Sequence, residues 1–155
     1  IIYGFGGSLQ YKKWDFSVFF QGAAKVSIYL DNIHPFGTYY SNVLQFVADD
    51  YWSESNPNPN ASYPRLSTRT FENNYRISTY WKRNGNYFRM KNIRIGYTFP
   101  QSIARAIKLS RLYVYANASN LFTVSHLDGL ADPESSSLIT YPLTRSYNLG
   151  IKIDF

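Results

Sequence analysis

The decapeptide SYNLGIKIDF (146–155) alternates without a break. Tyr147, Leu149, Ile151, Ile153 and Phe155 share one parity; Ser146, Asn148, Gly150, Lys152 and Asp154 share the other. In a strand, successive side chains point to opposite faces. The segment therefore presents one oily face ending on an aromatic, and one face carrying a lysine and an aspartate. A soluble sheet with one wet side satisfies the same pattern, so the rest of the chain has to decide between them.

Four further runs read as strands. In YGFGGSLQY (3–11), Tyr3, Phe5, Leu9 and Tyr11 oppose Gly4, Gly6, Ser8 and Gln10. In WDFSVFFQG (14–22), Trp14, Phe16, Val18 and Phe20 oppose Asp15, Ser17 and Gln21, with Phe19 as the exception. Only Lys12 and Lys13 separate the two runs, which predicts a hairpin with a tight turn. In YFRMKNIRIGYTF (87–99), Phe88 and Met90 are in one phase and Ile93, Ile95, Tyr97 and Phe99 in the other. A β-bulge near Lys91–Asn92 reconciles them. In RLYVYANAS (111–119), Leu112, Val114 and Ala116 oppose Tyr113 and Tyr115, so both faces of that strand read as covered.

The connections alternate in length. The first is a two-residue turn and the third is short, around PQSIARAIK (100–108). The second and fourth are long, spanning residues 23–86 and 120–145. In an antiparallel meander, this places every long loop at one end and every short turn at the other. Outer-membrane barrels have that sidedness, with short periplasmic turns and long external loops. A soluble sandwich has no reason to obey it. The order of turns sends the last strand toward the short-turn side. Tyr11, Trp14, Tyr97, Phe99 and Phe155 then fall near one rim, and Tyr3, Phe88 and Tyr147 near the other. Two aromatic girdles of this kind form at membrane interfaces.

Composition agrees. Aromatics make up 19% of the residues and charged residues only 17%, which suits a surface that meets something other than water. There is no Cys, so disulfide frameworks and thiolate metal sites are excluded. No apolar run approaches the roughly 18 residues of a spanning helix. The net charge of +6 is scattered, with no basic stripe and no nucleic-acid-binding motif, so a nucleic-acid partner is not expected. The fold class read from these features is all-β: an antiparallel transmembrane β-barrel segment with long external loops. Five strands do not close such a barrel, and an open edge in lipid is costly. Residues 1–155 are therefore expected to be part of a larger barrel.

Several stretches, in this order and spacing, resemble one family. They are YWSESNPNPNASYPRL (51–66), YWKRNGNYFRMKNIRIGYTFP (80–100), LYVYANASNLFTV (112–124), DGLADPE (128–134) and the closing decapeptide. Together they resemble the C-terminal barrel segment of SusC/RagA-type TonB-dependent outer-membrane transporters of Bacteroidetes. The resemblance covers nearly the whole chain and implies the last five strands of a barrel of about 22 with a plugged lumen. It also implies import of oligosaccharides or peptides, energised by TonB, under a SusD-like lid lipoprotein. Contact with the lipid bilayer and lipopolysaccharide, and a dimer of such transporter–lipoprotein pairs, come with it. The plug and the TonB-contacting segment belong to the family's N-terminal part and have no counterpart among these residues.

Candidate functional residues follow. Tyr147, Leu149, Ile151, Ile153 and Phe155 match the signal by which outer-membrane strands are recognised for assembly, since an exposed last strand can pair edge to edge with another barrel. TYYSNVLQFVADDYW (38–52) places Tyr40, Val43, Leu44, Val47 and Tyr51 at helical spacing, predicting a short helix in the large loop that buries its own apolar stripe. Tyr51, Trp52, Tyr80 and Trp81 are candidate contacts to substrate or lid, although such aromatics also stiffen long loops. Arg89, Lys91 and Arg94 lie on or near the polar face of the third run, where two readings stand side by side: they balance carboxylates such as Asp15 on the neighbouring strand, or they simply line a hydrated barrel wall. Asp128, Asp132 and Glu134 are of the oxygen-donor type that Ca²⁺ prefers, but their spacing is not that of an EF-hand, and Asp-Gly and Asp-Pro are plain turn signals. No metal and no cofactor is assigned. Ser125, His126 and Asp128 are sequence neighbours and cannot easily form a catalytic relay. No phosphate-cradling glycine loop is present, and the chain is read as having no enzymatic role. The alternative from another class is a secreted β-sandwich that binds glycans through surface Tyr and Trp.

Overall fold

The computed structural model describes residues 1–29, 42–67, 72–127, 131–135, 141 and 143–155. Strands β1 (Ile2–Tyr11) and β2 (Trp14–Ala23) pair antiparallel with Tyr11 opposite Trp14, so Lys12 and Lys13 alone turn the chain. β2 then pairs with β5 (Tyr87–Thr98), β5 with β6 (Arg111–Ser119), and β6 with β8 (Ser146–Asp154), all antiparallel. The sheet order is β1-β2-β5-β6-β8, with β7 (Thr123–Ser125) added beside the start of β5. β3 (Ser27–Tyr29) and β4 (Lys82–Asn84) form a separate two-stranded ribbon inside the first long connection.

The five anticipated strands are all present, and both long connections leave the same end of the sheet. Ala23 lies opposite Tyr87, and Ser119 opposite Ser146, whereas the opposite end carries only the Lys12–Lys13 turn and the 99–110 connection. That connection contains a short helix, α3 (Gln101–Ala106), started by Pro100.

Register carries one face across every strand. Leu9, Phe16, Ile95, Ala116 and Leu149 stand in one row; Tyr11, Trp14, Tyr97, Val114 and Ile151 stand in the next. The reverse face carries Ser8, Ser17, Arg94, Asn117 and Asn148 in a single row. β6, whose faces both looked covered, follows the same division: its alanines and Val114 go to the apolar side and its tyrosines to the polar side. The phase change in β5 is a bulge. Asn92 pairs with Phe19 and Met90 with Phe20, which leaves Lys91 as the extra residue. The bulge keeps Phe88 and Met90 on the apolar side along with Ile93 and Ile95.

The apolar face is uncovered. Leu149 is 87% exposed, and Leu9, Ile95, Ile151 and Phe155 are also exposed. No second sheet packs on it among the described residues, as the sandwich alternative would require. No helix there is long and apolar enough to cross a membrane. From Tyr11 to Tyr3 the face extends about 26 Å along β1 at roughly 3.3 Å per residue. With a strand tilt of about 40°, that spans about 20 Å, near the roughly 25 Å apolar band of membrane barrels.

Most of the buried apolar cluster lies elsewhere. Ile28, Val47, Tyr63, Trp81 and Leu127 pack together in the long connections, with Val26, Val43, Phe46, Tyr51, Leu66 and Ala131 around them. Helix α1 (Gln45–Asp49) contributes Val47, its fully buried residue, and a second short helix, α2 (Glu72–Tyr75), follows in the same connection. Helix α1 is shorter than the spacing over 38–52 suggested, and Tyr40 lies outside the described residues.

Candidate functional site

Two features stand at the long-loop end. The first is a charged clamp. Arg89 leaves the polar side of β5 and is only 2% exposed. Its guanidinium donates from Nη2 to both carboxylate oxygens of Asp132 (2.9 and 2.8 Å), from Nη1 to Glu134 (2.6 Å), and from Nε to the Thr123 hydroxyl (2.7 Å). Lys91 donates to Glu134 at 3.0 Å. The bulge explains the pairing: inserting Lys91 brings it to the side of the strand that already carries Arg89. Burial by itself would raise the Asp132 pKa. The Glu134 backbone N–H and the Arg89 guanidinium outweigh it and hold the carboxyl below its ordinary value.

Asp132 also accepts from the Glu134 and Leu143 backbone N–H groups. The Asp132-Pro133-Glu134 turn is thereby fastened to the wall of the sheet. Asp128 lies outside the described residues; the other two carboxylates of the DGLADPE stretch are engaged by Arg89 and Lys91. No cluster of three metal-ligating side chains occurs among the described residues.

The second feature is an aromatic cleft of about 330 Å³ in the loop lobe, walled by Trp52, Tyr63, Tyr80 and Trp81 with Asn58 and Asn74. Tyr80 and Trp81 meet edge to face at 4.8 Å. Trp81 is buried and donates its indole N–H to the Asn74 carbonyl at 3.1 Å. Tyr80 is exposed, and its hydroxyl donates to the Ser62 carbonyl. Burial raises the Tyr63 and Tyr80 pKa values above the ordinary phenol range, so both hydroxyls stay protonated. Tyr51 bridges to Tyr63 in parallel and packs against the lobe's core rather than lining the cleft. Of the four aromatics singled out in the sequence, the structure brings Trp52, Tyr80 and Trp81 to one cleft.

On the polar face, Tyr113 links two charges that sequence reasoning placed on separate strands. Its hydroxyl donates to Asp15 (2.9 Å) and accepts from Arg94 (3.0 Å). The Arg94 guanidinium also lies over the Tyr115 ring at 4.7 Å. Glycines make room for these rings. A Cβ on Gly96 would strike the Tyr113 hydroxyl, and one on Gly150 would strike the Tyr115 ring. The Gly–Tyr pairing across strands was visible in the sequence only as polar-parity residues; register was needed to align them.

Comparison with known proteins points to one family. The chain aligns over 98% of its length with TonB-dependent receptor P3 of Formosa agariphila at 26% identity, and over its full length with TonB-dependent receptor SusC of Bacteroides thetaiotaomicron at 27%. Over nearly its whole length the chain is similar to SusC-type TonB-dependent receptors. Its place is the outer membrane. No family model matches it. The chain spans only 16% and 15% of those two relatives. A solved structure of the RagAB peptide transporter shares its fold at a TM-score of 0.69 and 22% identity, over 98% of this chain and 17% of that one. The RagAB importer in its open-open state gives 0.70. The sheet's exposed apolar face and its polar reverse are what one segment of an outer-membrane barrel wall presents.

Proposed function

We propose that residues 1–155 form the C-terminal part of the barrel of an outer-membrane active transporter. It imports oligosaccharides or peptides beneath a SusD-like lipoprotein and is energised by TonB through an N-terminal plug. The observation that carries this reading is the sheet's division into a hydrocarbon face and a hydrated face, with both long connections at one end. The names of the relatives support the TonB dependence. The role is transport and involves no catalysis by this segment.

In this reading the loop lobe is external. Its aromatic cleft contacts cargo or lid through Trp52 and Tyr80, and the buried Trp81 and Tyr51 support it from beneath. Tyr147, Leu149, Ile151, Ile153 and Phe155 act as the assembly signal on β8. Two transporter–lipoprotein pairs associate as a dimer.

The test is uptake by cells carrying the complete gene. Labelled oligosaccharide and peptide pools should yield a cargo whose entry is lost both on deleting this gene and on depleting TonB. Uptake that survives TonB depletion would refute the mechanism. Trp52→Ala should lower uptake without lowering the amount of protein in the outer membrane; an unchanged rate would remove the cleft from the pathway.

A further inference from the structure

We propose that the short-turn rim of this sheet is a docking surface for the headgroups of anionic phospholipids. The proposal rests on the reading above, in which that rim is periplasmic and borders the inner leaflet. Turns 12–13 and 99–110 hold Lys12, Lys13, Arg105 and Lys108 and contain no Asp or Glu. All four cations are exposed, and none forms an ion pair among the described residues.

Two of these cations occupy backbone positions that do not favour them. Lys12 has φ 54° and Lys108 has φ 58°. That left-handed conformation suits Gly or Asn, and a side chain with a Cβ is strained there. Lys25, at the long-loop end of the sheet, adopts the same conformation at φ 58°. The strained backbone therefore does not by itself mark this rim; the four exposed cations gathered on turns without an acidic residue do.

The surroundings identify the partner. The Thr98 N–H donates to the Lys13 carbonyl at 2.8 Å, which ties the two turns into one rim. On the hydrocarbon face beside it, Trp14 lies 4.6 Å from Tyr97, and Tyr97 lies 5.0 Å from Phe99. Rings of this kind settle at headgroup level. Lys12 Nζ sits 5.3 Å from the Tyr11 ring, so its stem runs past that aromatic to the rim. Ile103 and Ile107, one helical turn apart around α3, are 47% and 54% exposed while Ala104 between them is buried. An exposed isoleucine pair beside Arg105 and Lys108 has the composition of an interfacial helix. Cations, amphipathic rings and bare aliphatic side chains on one edge fit a layer that is anionic where it borders hydrocarbon. A phospholipid leaflet has that chemistry; an acidic protein surface does not supply the apolar part.

The experiment uses the protein from its complete gene, extracted from outer membranes and exchanged into detergent. Native mass spectrometry then compares retention of phosphatidylglycerol and phosphatidylethanolamine. The wild type should retain phosphatidylglycerol several-fold more. K12G/K108G removes two charges while giving each turn a residue suited to its φ, so barrel folding, read by heat-modifiable migration, should persist. Adding K13Q and R105Q should abolish the preference. The proposal is overturned if the wild type does not discriminate between the lipids, or if the quadruple variant keeps its preference. It is also overturned if the substitutions release an acidic periplasmic protein while lipid selection stays unchanged. Recovery of the wild type in aqueous fractions without detergent would instead refute the membrane reading itself.

Discussion

Arg89 is the residue on which the second long loop depends. Its guanidinium, itself almost fully buried, holds two carboxylates and a hydroxyl. Removing one partner of a buried ion pair costs about 3–5 kcal/mol, because the remaining charge is left uncompensated. Arg89→Met should therefore loosen the Asp132-Pro133-Glu134 turn while leaving the strands paired. Hydrogen exchange should show protection lost in residues 131–135 and 121–127 but kept in β6 and β8. The clamp also has a defined acid limit. The folded Asp132 pKa lies below its ordinary value. Its contribution is thus fully present above the unfolded carboxylate range, near pH 4, and is lost as pH falls through the lower folded value. Exchange protection of 131–135 should be constant from pH 7 to pH 5 and fall below about pH 4. A loss already at pH 6 would assign the attachment to other groups.

At the level of elements, β8 pairs with β6 and with no other strand among the described residues. The edge away from β6 is unpaired among those residues, and the apolar side chains of β8 are bare. Such an edge is a template for another strand. If Phe155 is part of an assembly signal, deleting it should reduce the barrel in the outer membrane several-fold, with chain accumulating in the periplasm; normal levels would remove it from that role. Element boundaries were legible where alternation was strong, as in β1, β2, β5 and β8. β3, β4 and β7 were not legible. Each is three residues long, too short for a period to register, and each exists because a distant segment pairs with it. α3 was missed because Ile103 and Ile107 supply only one helical repeat.

For the whole molecule, the solvent on each side of the sheet sets what can be substituted. Leu149 and Asn148 are neighbours on β8 with opposite orientations. Leu149→Arg should destabilise the barrel by about 2–4 kcal/mol if the residue lies near the bilayer midplane, and Asn148→Arg should be tolerated on the hydrated side. Unfolding the full-length barrel from lipid vesicles by denaturant measures both. Equal effects would mean that both faces meet the same medium.

The sequence by itself determined the five long strands, their direction, the sidedness of the loops and the two unlike faces. These follow from local periodicity and from the lengths of connections, which survive without contacts. Only the tertiary structure decided which charges meet. Asp132 and Glu134 lie 43 and 45 residues from Arg89, and Glu134 lies 43 residues from Lys91, which a bulge presents. Tyr113 joins Asp15 to Arg94 across three strands, and Trp52 reaches Trp81 only because a small core folds within the loops. Register and loop packing bring such groups together, and both depend on chain segments too far apart for any local pattern to encode.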